Sequence, residues 1–457
     1  MFKVVLCAVL LAQSLIVPLT GHRQRTIQAE SLFHTLFHDF FPEDDTTTYV
    51  QTGDIPAMWL RDSAAQTIPY VRFQKAFPVL RRRFAGVIER DARAINKDPY
   101  ANAFEADYTV WERKWEVDSI AWPVLLAYTY IQETGDSSIF TQELHVALRR
   151  IVYTYGCEQH HSRCSTYRWP DRVDTDDRYN ESSGLIWCAF RPSDDAVRYR
   201  FNIPQNMIAA IALREITYLA VRGYGDAQLA QKAASIETPL VRGIAQYGTV
   251  YDSIAGKPMY AYETDGYGHD NLMDDANIPN LTTLPAINWS SAYDPVYRAT
   301  RQFALSFRNP YYFRGRYAEG LGSPHTPNGY VWPLGLIGAA MTDTNRSTVL
   351  GLITTLAETD SEQGLLHESF YADGYWRFTR QEFGWANAFW AELIFRTLAG
   401  MPAKSFVPVG DVMLPYERPT LTPTLVSPLE QIENAAALNA ALRRLLMEGR
   451  DAAINQE

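Results

Sequence analysis

The sequence predicts an all-α fold in which long loops, gathered at one end of a helical barrel, build a polar site. Apolar residues recur at helical spacing in several segments, strand-like alternation is scarce, and no regular βαβ series is present. Long connections, rich in acidic and aromatic residues, separate the helical segments at 99–115, 157–203, 258–296 and 308–332. Loops of this length are uncommon unless they form a functional site.

Helical periodicity is clearest at 144–155, 208–219 and 386–393, where apolar residues fall on one face of a helix. The second stretch has Pro204 near its start and Gly223 near its end, which is the usual punctuation of a helix. Further helices are expected where regular apolar spacing resumes, after Asp118, Asp226, Trp332 and Thr344.

Composition favours a globular protein and excludes several partners. The chain has 457 residues, 47% hydrophobic and 21% charged, which suits one large domain or two ordinary ones. A net charge of −10 disfavours nucleic acid or an anionic membrane as the main partner, because both require a basic surface. The 11 Trp, 27 Tyr and 21 Phe fit either a large aromatic core or stacking against sugar rings.

Residues 1–21 resemble a signal peptide, with Lys3 preceding an apolar run that reaches about Leu19. The run is short for a membrane-spanning helix, although the absence of a clear A-x-A site leaves an uncleaved anchor open. We therefore expect a secreted or periplasmic protein with no membrane contact beyond the leader.

Three cysteines follow the leader. In an oxidising compartment, Cys157 and Cys164 are the local candidates for one disulfide, which leaves Cys188 free. Their C-x6-C spacing is not that of a zinc site. Residues 402–457 differ again in character: a Pro-rich strap to about residue 428, then one more predicted helix.

Six loop motifs combine carboxylates with aromatic residues: TGDIPAMWLRDS at 52–63, VWERKWEVD at 110–118, FRPSDD at 190–195, YETDG at 262–266 running into MDDAN at 273–277, GSPHTP at 322–327, and HESF at 367–370. In the first, an ion pair of Arg61 with an Asp at a helix start is the simpler interpretation. The second is either a solvated face or one wall of a polar pocket. In the third, repulsion between Asp194 and Asp195 favours a raised pKa in one of them, as a general acid requires.

Other catalytic patterns are missing from the sequence. HESF lacks the second His of a zinc-protease motif, and no GxSxG elbow, phosphate-binding P-loop or dinucleotide-binding GxGxxG appears. Carboxylates beside aromatic residues are typical of glycoside hydrolysis, in which one carboxyl protonates the leaving oxygen and another activates water or attacks carbon.

Taken together, the motifs resemble glycoside hydrolase family 125, the exo-acting α-1,6-mannosidases. The resemblance depends on the strings quoted above together with ANAF at 101–104, IPQNM at 203–207 and MDDANIPNL at 273–281, which follow the family's order. It implies an (α/α)6 barrel over residues 25–401, no metal or other cofactor, a mannose-containing oligosaccharide as substrate, and inversion at the anomeric carbon.

The resemblance also assigns roles. It implies Asp195 as general acid, with Asp194 as the alternative, and Glu368 as general base. Asp54, Arg61 and Asp62 are the candidates for binding the terminal mannose. Trp59, Asp275 and His325 are expected on the same wall.

Three alternatives remain open at this point. One is another glycosidase of the same architecture, either an α-glucosidase or an α-1,2-mannosidase that uses calcium at Asp274 and Asp275. A glycan-binding protein without activity is the second, and the presence of both Asp195 and Glu368 argues against it. The third is a purely structural helical scaffold, which leaves the acidic loops unexplained.

Overall fold

The computed structural model describes residues 15–18, 24–27, 29–42, 46–75, 77–168, 178–360 and 364–397, and these form two compact units. In the first unit, strands Leu15–Pro18 and Gln24–Ile27 pair antiparallel and the short helix Ala29–Leu32 follows. Most of the predicted leader 1–21 and all of the predicted segment 402–457 lie outside the described residues. Among the helices that are described, none is both long and apolar enough to cross a membrane.

The second unit begins at Phe33 and contains the remaining elements. Numbered along the chain after α1 (Ala29–Leu32), its α-helices are α2 His34–His38, α3 Leu60–Thr67, α4 Pro78–Lys97, α5 Trp122–Thr134, α6 Gln142–Glu158, α7 His161–Cys164, α8 Ile203–Tyr224, α9 Ala227–Tyr247, α10 Pro295–Ala304, α11 Pro333–Thr342, α12 Arg346–Glu358 and α13 Gly384–Thr397. Two 3-10 helices cover Ile68–Lys75 and Ser137–Ile139.

Burial divides these helices into two layers. Every residue of α3 is buried, and α8, α11 and α13 are buried over most of their length. Helices α4, α9 and α10 instead bury one face and expose the other. A helix that is apolar on all sides needs neighbours all round, whereas an amphipathic helix covers a core from outside.

Contacts between helices follow the same division. The buried helix α3 contacts α5 and α13, α5 also contacts α8, and α13 also contacts α11. Outer helices pack on these and on each other: α4 on α6, α6 on α9, α9 on α8, and α12 on α11.

All seven helices predicted within the described residues are present: 144–155 lies in α6, 208–219 in α8 and 386–393 in α13, and the four further helices are α5, α9, α11 and α12. The helix predicted beyond residue 428 lies outside the described residues. Side-chain caps explain two of the starts, because Asn202 accepts a hydrogen bond from the Gln205 backbone N–H and Thr141 accepts one from Leu144. Helices α3, α4 and α10 were not predicted. Full burial leaves α3 without an exposed face, whereas α4 and α10 are amphipathic and their absence from the prediction has no such explanation.

The all-α prediction is right for the helices and incomplete for the loops, which fold into short antiparallel strands. Three three-stranded sheets are formed by Met58–Trp59, Ala103–Phe104 and Val110–Glu112; by Phe201–Asn202, Glu263–Thr264 and Asp270–Asn271; and by Tyr330–Val331, Ser369–Tyr371 and Gly374–Thr379. Two-stranded pairs join Phe40–Pro42 to Thr48–Val50, Thr249–Asp252 to Lys257–Tyr260, and Tyr312–Arg314 to Glu319–Leu321. Strands of two to six residues are too short to show alternation in the sequence.

The predicted disulfide is present. Cys157, in the last turn of α6, is bonded to Cys164, and Cys188 is free and buried. The bond fixes the short helix α7 against the end of α6.

Candidate active site

Charged side chains gather in the segments that lead into the buried helices. Arg61 is in the first turn of α3, Glu116 precedes α5, Asp195 precedes α8, His325 precedes α11 and Glu368 precedes α13. The contacts described below join these distant segments into one site.

Arg61 lies at the bottom of the site and is only 3% exposed. Its Nη1 donates to Glu116 Oε2 at 2.8 Å and to Asp118 Oδ2 at 3.4 Å, and its Nη2 donates to Asp194 Oδ1 at 3.3 Å. Its Nε lies 3.5 Å from Asp62 Oδ2. One buried guanidinium therefore lies within 3.5 Å of four carboxyl groups.

Four carboxyl groups around one cation cannot all be ionised at little cost in a buried site. Burial raises the pKa of Asp62 to about 6 and that of Asp118 to about 6, although Arg61 opposes both shifts. Burial also raises the pKa of Glu116 well above its usual range, and the neighbouring Asp194 adds to this. The crowding of carboxyls around Arg61 therefore disfavours the ionised form of Glu116.

The two adjacent aspartates point in different directions. The Asp194 N–H donates to the Arg191 carbonyl at 3.0 Å, and the Arg191 N–H donates to the Asp195 carbonyl at 2.7 Å, which makes a tight turn. In this turn Asp194 has a φ of 63°, an uncommon conformation for a residue with a side chain. As a result Asp194 reaches Arg61, whereas Asp195 accepts from Ser193 Oγ at 2.8 Å and lies 3.4 Å from His325 Nδ1.

The environment of Asp194 favours its ionised form. Burial alone would raise the pKa of its carboxyl, but the hydrogen bond from Glu116 and the charges of Arg61, Lys114 and His325 hold the pKa below its usual range. A carboxyl with a lowered pKa is poorly suited to donate a proton at rest.

A buried glutamate anchors the turn that carries both aspartates. Glu263 Oε1 accepts from Arg191 Nε at 2.6 Å, and Glu263 Oε2 accepts from the Arg198 N–H at 3.0 Å and from Asn271 Nδ2 at 3.0 Å. Glu263 has no exposed surface. Its motif, singled out in the sequence without a role, therefore supports the Asp194–Asp195 turn.

Glu368 faces the same site from the segment before α13. Burial raises the pKa of its carboxyl, opposed by His325, by a hydrogen bond from Thr379 and by Arg380. Arg380 Nη1 lies 4.0 Å from Glu368 Oε1, and Arg380 Nη2 donates to Asp54 Oδ1 at 2.6 Å. Asp54, 326 positions before Arg380 in the sequence, thereby shares that arginine with the carboxyl predicted to act as base.

His325 connects the two predicted catalytic carboxyls. The hydrogen bond to Asp195 raises the pKa of His325 to about 9 against the opposing effect of burial, and the charges of Asp195, Glu368 and Asp194 add to the rise. The imidazole is therefore a cation at neutral pH. Asp195 and Glu368, 173 positions apart, act on the same ring.

Asp274 and Asp275 are engaged by protein donors. Asp274 accepts from the Leu281 and Thr282 N–H groups and from Thr282 Oγ1, at 2.7–2.9 Å. Asp275 accepts from Asn277 Nδ2 at 2.8 Å and from Ser323 Oγ at 3.2 Å. Within the described part of the chain, no three His, Cys, Asp or Glu side chains are grouped so as to hold a metal ion.

Comparison with known proteins decides the family. Residues 23–395 match the sequence profile of the family described as metal-independent alpha-mannosidase (GH125). This chain belongs to glycoside hydrolase family 125. It is therefore a glycoside hydrolase of the α-mannosidase class, the resemblance drawn from its motifs is confirmed, and the calcium-dependent alternative falls away because the family is metal-independent.

Two family relatives are similar over most of the chain. The Meiotically up-regulated gene 157 protein of Schizosaccharomyces pombe is 34% identical over 396 residues, which is 78% of this chain and 77% of the relative. A Streptococcus pneumoniae metal-independent alpha mannosidase, solved as a non-productive complex with alpha-1,6-mannobiose, is 36% identical with a TM-score of 0.77; the match covers 81% of this chain and 92% of that one.

One similarity concerns the fold alone. A bacterial glucoamylase complexed with acarbose matches with a TM-score of 0.55 at 11% identity, and the match covers 77% of this chain and 50% of the glucoamylase chain. A helix-rich glycosidase architecture is thus shared well beyond family 125.

In this family 125 chain, the residues predicted for the site fall into two groups. Those close to the predicted catalytic carboxyls or at the open rim are Asp54, Asp194, Asp195, His325 and Glu368. Those more than nine-tenths buried beneath or behind it are Trp59, Arg61, Asp62 and Asp275. Among the buried group, Trp59 keeps an indole N–H without a hydrogen-bond partner in the described structure.

Several residues of the site were not predicted. Arg380 adjoins Glu368 and Asp54, Thr379 donates to Glu368, and Glu116 accepts from Arg61. Glu116 lies within the motif at 110–118, whereas Arg380 follows the HESF motif by ten residues. Only the folded contacts identify which of the charged residues in each motif turn inward.

Proposed function

We propose that this chain is an inverting exo-α-mannosidase that releases terminal, non-reducing α-1,6-linked mannose from oligosaccharides or N-glycans. The α-1,6-mannobiose bound to the Streptococcus pneumoniae relative supports this linkage. The succession of contacts that links the buried helices α11, α13, α3, α5 and α8, covered by outer helices, supports an (α/α)6 barrel as the scaffold. The disulfide between Cys157 and Cys164 supports a secreted or periplasmic location.

Asp195 is the proposed general acid and Glu368 the proposed general base. The observation that carries this assignment is their shared neighbour, His325, which interacts with both carboxyls. A mannose bound between them would receive a proton from Asp195 on its glycosidic oxygen. A water on the opposite face of the ring would lose a proton to Glu368 as it attacks the anomeric carbon.

Asp195 suits the acid role better than Asp194 because of what each one contacts. Asp194 forms an ion pair with Arg61 and has a lowered pKa, which keeps it ionised. Asp195 is paired with His325, 3.4 Å away, rather than with a buried arginine, and its side chain is 31% exposed, so a glycosidic oxygen can approach it.

Glu368 must be ionised to accept a proton from water. Burial raises the pKa of its carboxyl, and the cations His325 and Arg380 limit that rise. The two cations therefore favour the ionised form of the base. They also balance the negative charge of a site that contains many carboxyl groups.

The other predicted residues are assigned to mannose recognition. Asp54, held by Arg380 at the rim, and His325 are placed to bind sugar hydroxyls directly. Arg61 and Asp62 form the buried support below, and Asp275 holds the Ser323 loop that carries His325. Trp59 belongs to the same buried support, with an indole N–H that has no hydrogen-bond partner in the described structure.

The proposal is tested by release of mannose from α-1,6-mannobiose in EDTA, with the α-1,2- and α-1,3-linked isomers and an α-glucoside as comparisons. We expect wild-type activity on the 1,6 linkage and a loss of about 10²–10⁴-fold in Glu368→Gln. Circular dichroism must show that the variant is folded. Wild-type protein that binds these sugars without turnover, or prefers the α-glucoside, would contradict the proposal.

α-Mannosyl fluoride separates the acid from its neighbour, because fluoride leaves without a proton. Asp195→Asn should lose activity on the mannobiose and retain most of it on the fluoride. Asp194→Asn should lose activity on both, since it disturbs the Arg61 and Glu116 contacts. The reverse pattern would move the acid role to Asp194.

A further inference from the structure

The segment Val110–Asp118 has a role that the proposed chemistry does not yet use. Every second residue from position 112 is charged and turns toward the site, namely Glu112, Lys114, Glu116 and Asp118. Between them, Trp115 and Val117 are buried in the core and Arg113 faces outward to Asp98. One extended stretch therefore forms a wall of the pocket, which settles the choice left open by the sequence.

The residues of this wall become more exposed from its buried end to the rim of the site. Glu116 and Asp118 have no exposed surface and bind Arg61. Glu112 and Lys114 have side chains 26% and 22% exposed, and they bind each other, with Lys114 Nζ 2.7 Å from Glu112 Oε1. The Glu112–Lys114 pair therefore remains accessible to a ligand, whereas the pairs that Glu116 and Asp118 form with Arg61 do not.

Asn102 links this upper pair to the turn that carries Asp194 and Asp195. Asn102 Nδ2 donates to Glu112 Oε2 at 2.8 Å and lies 3.4 Å from Asp194 Oδ1. Its Oδ1 accepts from the Lys114 N–H at 3.0 Å. A single residue, Asn102, thus connects the pair Glu112–Lys114 to Asp194, which precedes Asp195 in the chain.

In an inverting reaction the leaving group departs on the side of the general acid, and water attacks from the side of the base. We propose that Glu112 and Lys114 form the subsite that binds the sugar on the leaving side of the scissile bond. This inference rests on the proposed function. Lys114 donates to hydroxyls of that sugar and Glu112 accepts from them.

The 1,6 linkage fits such a subsite. Its leaving oxygen is attached to a methylene group outside the ring, so the second ring lies farther from the acid than in a 1,2 or 1,3 linkage. The upper pair is joined through Asn102 to Asp194, and within the described residues no hydrogen bond or ion pair joins it to Asp195. Glu112 and Lys114 are therefore proposed as determinants of linkage preference.

The test compares α-1,6-mannobiose, which fills the leaving subsite, with α-mannosyl fluoride, which does not. For Glu112→Gln and for Lys114→Met, we expect the ratio of kcat/KM on mannobiose to kcat/KM on the fluoride to fall about tenfold or more. Arg113→Met is the matched control, because it removes a charge from the same segment on its outer face. Its ratio should stay within about twofold of wild type.

Each outcome decides a separate question. If the wild type is active on both substrates and the variant ratios equal that of Arg113→Met, the subsite is refuted while the proposed function stands. If the wild type is inactive on both, the proposed function fails. If Lys114→Met is unfolded, Lys114→Arg is measured instead. Because arginine keeps a hydrogen-bond donor at this position, Lys114→Arg should retain more activity on mannobiose than Glu112→Gln.

Discussion

Replacing Arg61 with Met should destabilise the fold far more than the loss of an ordinary ion pair. Its guanidinium is 3% exposed and lies within 2.8–3.5 Å of Glu116, Asp118, Asp194 and Asp62. Methionine fills part of the volume and leaves the carboxyls without their cation. Removing one partner of a buried ion pair costs about 3–5 kcal/mol.

The expected change in melting temperature follows from the size of the unit. An unfolding entropy of about 2.1 cal/mol/K per residue gives about 0.8 kcal/mol/K for a unit of this length, so a loss of about 4 kcal/mol lowers Tm by about 5 °C. Arg93→Met is the control. Arg93 pairs with Glu89 at 3.0 Å on the surface of α4, and such a pair contributes about 0.3–0.5 kcal/mol, or less than about 1 °C.

The loss of stability in Arg61→Met should depend on pH, in a direction set by the carboxyl groups around Arg61. The pKa of Asp62 and of Asp118 is about 6 in the folded state, above the ordinary value of 3.8. Between these two values the folded state binds more protons than the unfolded state, so these groups reduce stability as pH rises through that window. Arg61 lowers both pKa values, so its removal enlarges the effect.

Thermal unfolding followed by circular dichroism at pH 5.0 and pH 7.5 measures both quantities. We expect the Tm difference between wild type and Arg61→Met to be larger at pH 7.5, where more carboxyls are ionised without a cation. A difference equal at both pH values, or as small as that of Arg93→Met, would refute the reasoning.

Further predictions concern the base, the disulfide and a tight turn. In His325→Gln, the ascending limb of kcat/KM against pH should move to higher pH, because His325 lowers the pKa of Glu368 and Glu368 must be ionised. Replacing Cys157 and Cys164 together by Ser should lower stability by about 2.5 kcal/mol through loss of loop closure, and Tm by about 3 °C, with activity retained at 25 °C. Gly53→Ala should be destabilising by about 1–3 kcal/mol, since its φ is 53° and a Cβ would lie 2.8 Å from a backbone oxygen.

Each of these has a clear contrary result. A pH profile on α-mannosyl fluoride that is unchanged in His325→Gln would show that the imidazole does not act on the base. Alkylation of Cys157 and Cys164 in denaturant without prior reduction would show that no disulfide forms. An unaltered Tm in Gly53→Ala would show that the turn tolerates a side chain.

Much of the helical frame could be predicted because it is encoded locally. The stripe in α6 and the Pro204 start of α8 depend on residues within one or two turns of each other. Helix α3 could not be found in this way, because full burial removes the contrast between its faces. The short strands were missed for a related reason: a pair such as Met58–Trp59 with Ala103–Phe104 is specified by its partner, not by its own pattern.

The site was predicted in residue type and only partly in geometry. Composition of the loops and the family motifs pointed to Asp195 and Glu368, and the structure brings both to His325. No local pattern distinguishes Glu112 from Glu116, yet one lies at the rim and the other is fully buried beside Arg61. That difference is set by contacts between segments far apart in the chain.

Proton NMR of the first sugar released from α-1,6-mannobiose tests the central claim, that Asp195 and Glu368 act from opposite faces of the mannose with a water between them. The account predicts β-mannose at the earliest time points, before mutarotation. Early α-mannose would contradict it, because retention requires attack by the enzyme itself rather than by water.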